Sequence, residues 1–371
     1  MKKEYGGFLF TKRNTEIVKG AAILLMLFHH LFGFPEWLTD GASYIGFPLR
    51  ANTLEYVIGK FGHICVALFA FITGYGMYFS YRKGGVFKKS VKKGAEFLVS
   101  YWLIMFGIMI PINLILGKTD LTAAKIFANM FGIENDIVSF AWYVRFYLAV
   151  LITLPLFYRL MSERSALTAA LFIVLPPLAR AAIGSVRTDS EFWGQVIYLA
   201  QEYFLWIPCV LLGMCFAKYG FFEKTDRAAE RLGIFKIPFL IIVLAIIFYM
   251  KAYKNIMFFD NLSPDFLYAA LFIYILCSLI NLLPHFAGDI LVFLGGHSMN
   301  IWFLHSAFFF RTSELMQYAY LPRFSALIVI WVLLITVPLS CALKFVTAHI
   351  FRIFENGSRP QNSHNAGTLH G

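Results

Sequence analysis

Two side chains in the first apolar stretch are spaced to do chemistry together. In Glu16-Ile-Val-Lys-Gly-Ala-Ala-Ile-Leu-Leu-Met-Leu-Phe-His-His30, Lys19 and His30 stand eleven residues apart. At about 100° per residue this falls about 20° past three whole turns, so in a helix both project along one face. The rise between them is about 16 Å, half the hydrocarbon thickness of a bilayer. Imidazole takes up and returns a proton near neutral pH, and it can also carry a transferred group covalently. His29 sits about 80° from Lys19 on the helical wheel, so His30 is the better-aligned partner. A lysine at a helix start also serves as a snorkelling anchor. A histidine inside a membrane helix is rarer. It lines a protein interior or cavity, or holds a hydrogen bond to another helix.

A second polar set lies late in the chain. Ser298, Trp302 and His305, spaced four and then three residues apart, form one stripe of a helix. His297 follows Gly295-Gly296, a position suited to a helix cap or the membrane interface. His63 opens the second apolar segment. Arg145 in the fourth is costly to place against lipid, and Glu202 early in the sixth is its candidate counter-ion. Trp142 is open to two readings, a stacking surface for a sugar or a residue of the interfacial aromatic belt.

The elements that position these groups follow from composition. The chain has 371 residues, 59% hydrophobic and only 14% charged, with a mean hydropathy of +0.69. A water-soluble core cannot hide that much apolar surface, so the solvent is a bilayer. Disorder, a collagen-like fold and a secreted disulfide scaffold are excluded. The five cysteines form no Cys-x-x-Cys pair and read as small buried hydrophobes. No metal-ligand pattern is present, and the first apolar run lacks a cleavage site, so it is expected to stay as a helix. The expected fold is all-α and polytopic. About ten helices cover approximately 17–35, 61–80, 97–117, 141–160, 166–184, 197–217, 234–250, 266–283, 290–310 and 325–348. Pro155 and the Pro176-Pro177 pair interrupt the fourth and fifth, which membrane helices tolerate. Residues 1–354 form one transmembrane domain, and 355–371 a polar tail expected to be disordered.

Net charge is +11, and the basic residues fall between apolar runs, where topology rather than nucleic acid accounts for them. With the N-terminus inside, nineteen Lys and Arg occupy inner segments and nine occupy outer loops. That bias predicts both termini in the cytoplasm. No soluble catalytic domain is attached, so any chemistry happens among the helices.

The Lys19-x10-His30 element resembles the first-helix motif of the membrane acyltransferase 3 family, in which a basic residue, ten intervening residues and a histidine recur. Leu68-Phe69-Ala70-Phe71-Ile72-Thr73-Gly74-Tyr75-Gly76 is similar to the family's second-helix pattern, with Thr73 where Ser is commoner. Trp142-Tyr143-Val144 opens the fourth helix as the family's Trp-Phe/Tyr-hydrophobic element does. Leu294-Gly295-Gly296-His297-Ser298, followed by Ile301-Trp302-Phe303-Leu304-His305, resembles its late signature. The family's arginine-rich element before the third helix appears as lysines. The four motifs stand in family order across nearly the whole chain.

The resemblance implies transfer of an acyl group, usually acetyl, from cytoplasmic acyl-CoA to a hydroxyl of an extracytoplasmic glycan. The setting it implies is the bacterial plasma membrane, with lipid and a glycan or polysaccharide acceptor as partners. His30 is then the candidate general base, or an acyl carrier in a two-step route. Lys19 is the candidate that orients the donor phosphate or stabilises developing negative charge. Lys88, Lys89, Lys92 and Lys93 form the densest basic cluster and are the candidate clamp for CoA phosphates; topology and anionic lipid would select the same residues. Thr73, Trp142, Arg145, Ser298 and His305 are the supporting candidates. The competing reading is a transporter or flippase for a lipid-linked glycan or small solute, whose usual inverted repeats are not evident here.

Overall fold

The structure, a computed structural model, describes residues 10–39, 41–117, 120–162, 165–254, 263–308 and 315–357. Helix α1 (Lys12–Phe32) is followed by a two-residue-per-strand hairpin, β1 (Pro48–Leu49) and β2 (Asn52–Thr53). Next come α2 (Leu54–Gly62), α3 (Cys65–Arg82), α4 (Val86–Ile104), α5 (Ile110–Leu116) and α6 (Ala123–Met130). A single π turn, Met105–Met109, joins α4 to α5. The middle of the chain holds α7 (Trp142–Ser162), α8 (Ala166–Gly184), α9 (Glu191–Tyr219), α10 (Phe221–Glu230) and α11 (Lys236–Tyr249). The last four are α12 (Asp265–Leu279), α13 (His285–His305), α14 (Met316–Ala319) and α15 (Ser325–Gly357), with a π turn at Met250–Lys254 extending α11.

The protein is an all-α polytopic membrane protein. Among the described residues, eight helical stretches are long and apolar enough to cross a bilayer. Each of the ten segments expected from the sequence is helical. The fifth, α8, has a shorter apolar run, Ala169–Gly184. The ninth, α13, carries the polar run Gly295 to Asn300 in its middle. Pro155, Pro176 and Pro177 sit inside unbroken helices, as the membrane setting allows. The helix α15 continues to Gly357, and the rest of the expected tail, 358–371, lies outside the described residues.

Four helices make the centre. The closest packing is between α1 and α13 and between α3 and α9, and both pairs use glycine to bring backbones together. A Cβ on Gly20 would run into the Leu291 carbonyl, and one on Gly295 into the Glu16 carbonyl. The α3–α9 pair repeats this with Gly74 against Val210 and Gly213 against Phe71. Apolar burial gives little drive between helices already in lipid, so close van der Waals approach of small residues does the work. Arg13 meets Asp289 near the starts of α1 and α13, and His30 meets His305 near their ends. The two helices therefore run parallel, in register at both ends. Peripheral helices present apolar side chains outward: only 11% of the Gly233–Lys254 stretch is buried, which marks it as lipid-facing.

Candidate active site

The last turns of α1 and α13 bring two imidazoles together. His30 Nδ1 lies 2.8 Å from His305 Nε2, and the rings stack at 5.0 Å with 11° between planes. Phe140, just before α7, lies parallel to both, 3.9 Å from His30 and 5.3 Å from His305. His305 is fully buried. Its Nδ1 is 3.2 Å from the Ile301 carbonyl. A carbonyl only accepts, so His305 Nδ1 carries the proton and Nε2 carries the lone pair in the neutral ring. His30 Nδ1 must then donate to that lone pair. An independent contact agrees: His30 Nδ1 is also 3.0 Å from the Met26 thioether, which has no proton to give. The neutral His30 ring consequently holds its own lone pair at Nε2, the atom a base or nucleophile uses.

A cavity of about 360 Å³ approaches this pair from the other end of the bundle. Its wall runs along α3 from Ser80 to Phe69, eleven residues or about 16 Å of rise. Thr15, Lys19 and Lys93 line one end, and Thr73, Tyr143, Ser298 and Trp302 line the rest. His30 and His305 are not among the lining residues; Trp302 stands one helical turn below His305. At that end the cavity is closed by an aromatic layer, with Trp302 4.9 Å from Tyr143 and 5.3 Å from Phe69. The buried Trp302 Nε1 has no hydrogen-bond partner. A buried N–H without an acceptor is expensive, and this one belongs to a residue that lines the cavity.

The expected site residues divide by position. Lys19 lies on the cavity wall, held 3.0 Å from Glu16 Oε1, and the second Glu16 oxygen is buried without a partner. The Thr73 hydroxyl donates to the Phe69 carbonyl at 2.8 Å and faces the Tyr143 hydroxyl. Ser298 lines the same wall. Of the four lysines on α4, only Lys93 reaches the cavity; it also pairs with Glu96 at 3.0 Å. Lys89 donates to the Ser80 carbonyl at 2.7 Å, closing the end of α3, while Lys88 and Lys92 are exposed.

Arg145 and Trp142 stand apart from the cavity. Arg145 Nε is 2.8 Å from Glu202 Oε2, and its Nη1 donates to the Gly132 and Ile133 carbonyls at 2.8 and 3.2 Å. Arg145 thus ties the turn after α6 to α9, with Glu202 as its counter-ion. Trp142 is half-buried against Tyr143 and Trp206. His297 caps nothing: it sits inside α13 with Nδ1 2.8 Å from the Ser340 hydroxyl of α15. Sequence reasoning missed the stacking ring Phe140 and a buried pair, Asp265 with Lys251, 2.7 Å apart. Lys251, in the π turn after α11, is 6% exposed. Ionisable residues abutting apolar runs were the available signal for this pair.

The acyltransferase 3 family, described as an acyltransferase domain, matches residues 14–347. The chain belongs to this family and is a membrane acyltransferase. No curated protein and no solved structure matches it.

Proposed function

We propose that the protein moves an acyl group, acetyl in the first instance, from cytoplasmic acyl-CoA to a hydroxyl of an extracytoplasmic glycan. The observation that carries this reading is the stacked His30–His305 pair one turn beyond a cavity lined at that end by Trp302. The Lys93 mouth lies toward the cytoplasm, as the excess of Lys and Arg on that side supports, with ten spans and both termini inside. The long, mostly apolar cavity suits the pantetheine arm of CoA. Lys93 and Lys19 at its mouth attract the phosphates, and the Trp302 N–H meets the thioester carbonyl.

The glycan hydroxyl reaches His30 from the opposite side. His30 Nε2 takes the hydroxyl proton as the oxygen attacks the thioester carbon. The carbon–oxygen bond forms, the carbon–sulfur bond breaks, and the sulfur departs as CoA thiolate. His305 fixes the His30 tautomer and supports the positive charge that develops on the ring. For the groups to meet, the Tyr143–Trp302–Phe69 layer must part by about one side chain's width.

The test uses the purified protein in liposomes with radiolabelled acetyl-CoA and carbohydrate extracted from the envelope of the cells that make it. Free CoA thiol and label in the carbohydrate should appear together, and His30→Ala should abolish both. Label retained on the protein when carbohydrate is omitted would assign a covalent acyl-histidine route. Carbohydrate or solute carried across without label would replace this reading by transport.

A further inference from the structure

The wall that α3 gives the cavity is a single stripe. Phe69, Ile72, Thr73, Gly76, Met77 and Ser80 all line it, and spacings of three and four residues put them on one helix face. Gly76 stands in the middle, with Thr73 one turn deeper and Ser80 one turn nearer the mouth. A β-carbon on Gly76 would therefore project into the cavity. It would meet no atom within 4 Å, and Gly76 itself is exposed.

A glycine inside a helix lowers its stability, and none of the usual structural reasons applies to Gly76. Its φ is not positive, so no left-handed turn requires it. It lies well before Arg82, the last residue of α3, so it caps nothing. No neighbouring helix comes close to it. Gly74, two residues away and about 200° round the helix, shows the contrast, because it lies against the Val210 carbonyl of α9. The rest of the cavity wall is bulky, with Phe97, Tyr143, Tyr147, Trp302 and Phe303 all lining it, and Gly76 is its one glycine. The missing side chain leaves a gap at that level and nothing else.

We propose that Gly76 sets the bore of the donor cavity, leaving room for the widest part of the pantetheine arm; this rests on acyl-CoA as the donor, as proposed above. The arm is slender except near its phosphate. There a carbon bearing two methyl groups lies two bonds in from the ester oxygen, about 2.5 Å at ordinary bond lengths. With the phosphates held at the mouth by Lys93 and Lys19, that carbon and the carbinol beside it pass the wall within its first turn. Gly76 is four residues in from Ser80, about 6 Å of rise, which is the same level. A glycine here gives up helix stability and admits a branched chain between α3 and the aromatic residues that face it.

The test uses the full chain in liposomes and has two arms. Gly76→Leu should raise the KM for acetyl-CoA at least about tenfold, the scale of overpacking a filled site. Gly76→Ala should raise it less and should unfold no earlier than the wild type, because its methyl group has open space and favours the helix. In the second arm Cys341, the exposed cysteine, is changed to Ser and Gly76→Cys is added. A water-soluble maleimide should label this variant. CoA lacking its thiol should block the labelling, while the phosphoadenosine diphosphate head of CoA, which lacks the arm, should not. An unchanged KM in Gly76→Leu overturns the proposal. So does earlier unfolding of Gly76→Ala, which would make the glycine a packing residue, and so does equal protection by both compounds or by neither. Absence of acyl transfer by the wild type overturns the proposed function itself, whereas normal wild-type transfer beside any of those results overturns only the role of Gly76.

Discussion

His305 Nε2 accepts the Nδ1 proton of His30 across 2.8 Å, while His305 Nδ1 is itself committed to the Ile301 carbonyl. This sequence of donors leaves only one tautomer for the neutral His30 ring, with its lone pair at Nε2. A neutral imidazole here takes the orienting position that a carboxylate takes in many hydrolases. It adds no charge to a buried site, which suits the middle of a membrane protein.

The first prediction concerns this pair. His305→Ala should lower kcat by about 10² or more, because the orienting partner and the Nδ1 acceptor are both lost. The His30→Ala and His305→Ala double variant should be no worse than His30→Ala alone, since groups acting as a unit are non-additive. Steady-state acyl transfer by the three variants, each at matched amounts of folded protein, measures this. Additive losses would mean that His305 acts elsewhere.

Trp302 gives the second. Trp302→Phe keeps a ring against Tyr143 and Phe69 but removes the unpartnered N–H. If that N–H holds the thioester carbonyl as charge develops on it, kcat should fall by about 10- to 100-fold with little change in KM for acyl-CoA. The protein should lose no stability, because a buried donor without an acceptor is being deleted. An unchanged kcat would remove the indole from the site.

The third prediction separates the lysines of α4. Lys93→Glu should raise the KM for acyl-CoA several-fold and flatten its salt dependence, because the attraction that salt screens is lost; of the α4 lysines, it is Lys93 that lines the cavity. Lys88→Glu, on the exposed face, should leave KM unchanged. Equal effects from both would point to a general field at the membrane surface instead of a contact.

How much of this was legible in the sequence depends on what each feature needs. The helices follow from runs of apolar residues, and the Lys19–His30 face from simple periodicity. The stripe Ser298, Trp302, His305 was readable in the same way. That His305 meets His30 was not, because it depends on α1 and α13 running parallel with both ends in register. That register is set by Gly20 and Gly295, whose meaning appears only once the two helices are face to face. The four lysines look alike in sequence, and only the packing of α4 shows that it is Lys93 among them that lines the cavity. Asp265 and Lys251 lie fourteen residues apart at the ends of different helices; the sequence marks each as a charge abutting an apolar run but does not say that they pair. The Arg145–Glu202 pair was within reach because each is a lone charge in an apolar segment with few alternatives for a partner.

The glycine contacts allow a prediction that isolates geometry from chemistry. Gly295→Ala would drive a methyl group into the Glu16 carbonyl and force α13 away from α1. Overpacking of this kind costs about 1–3 kcal/mol, so thermal unfolding in detergent should begin several degrees lower. It should also widen the His30–His305 separation, because the same two helices carry both rings. Gly74→Ala makes the equivalent clash between α3 and α9, against Val210. It should cost similar stability but leave the histidine pair in place, so turnover per folded molecule should fall less than in Gly295→Ala. Comparing kcat of the two variants at matched folded fraction tests whether the α1–α13 contact sets the active geometry or merely holds the bundle together. Equal kcat would leave the contact with only the second role.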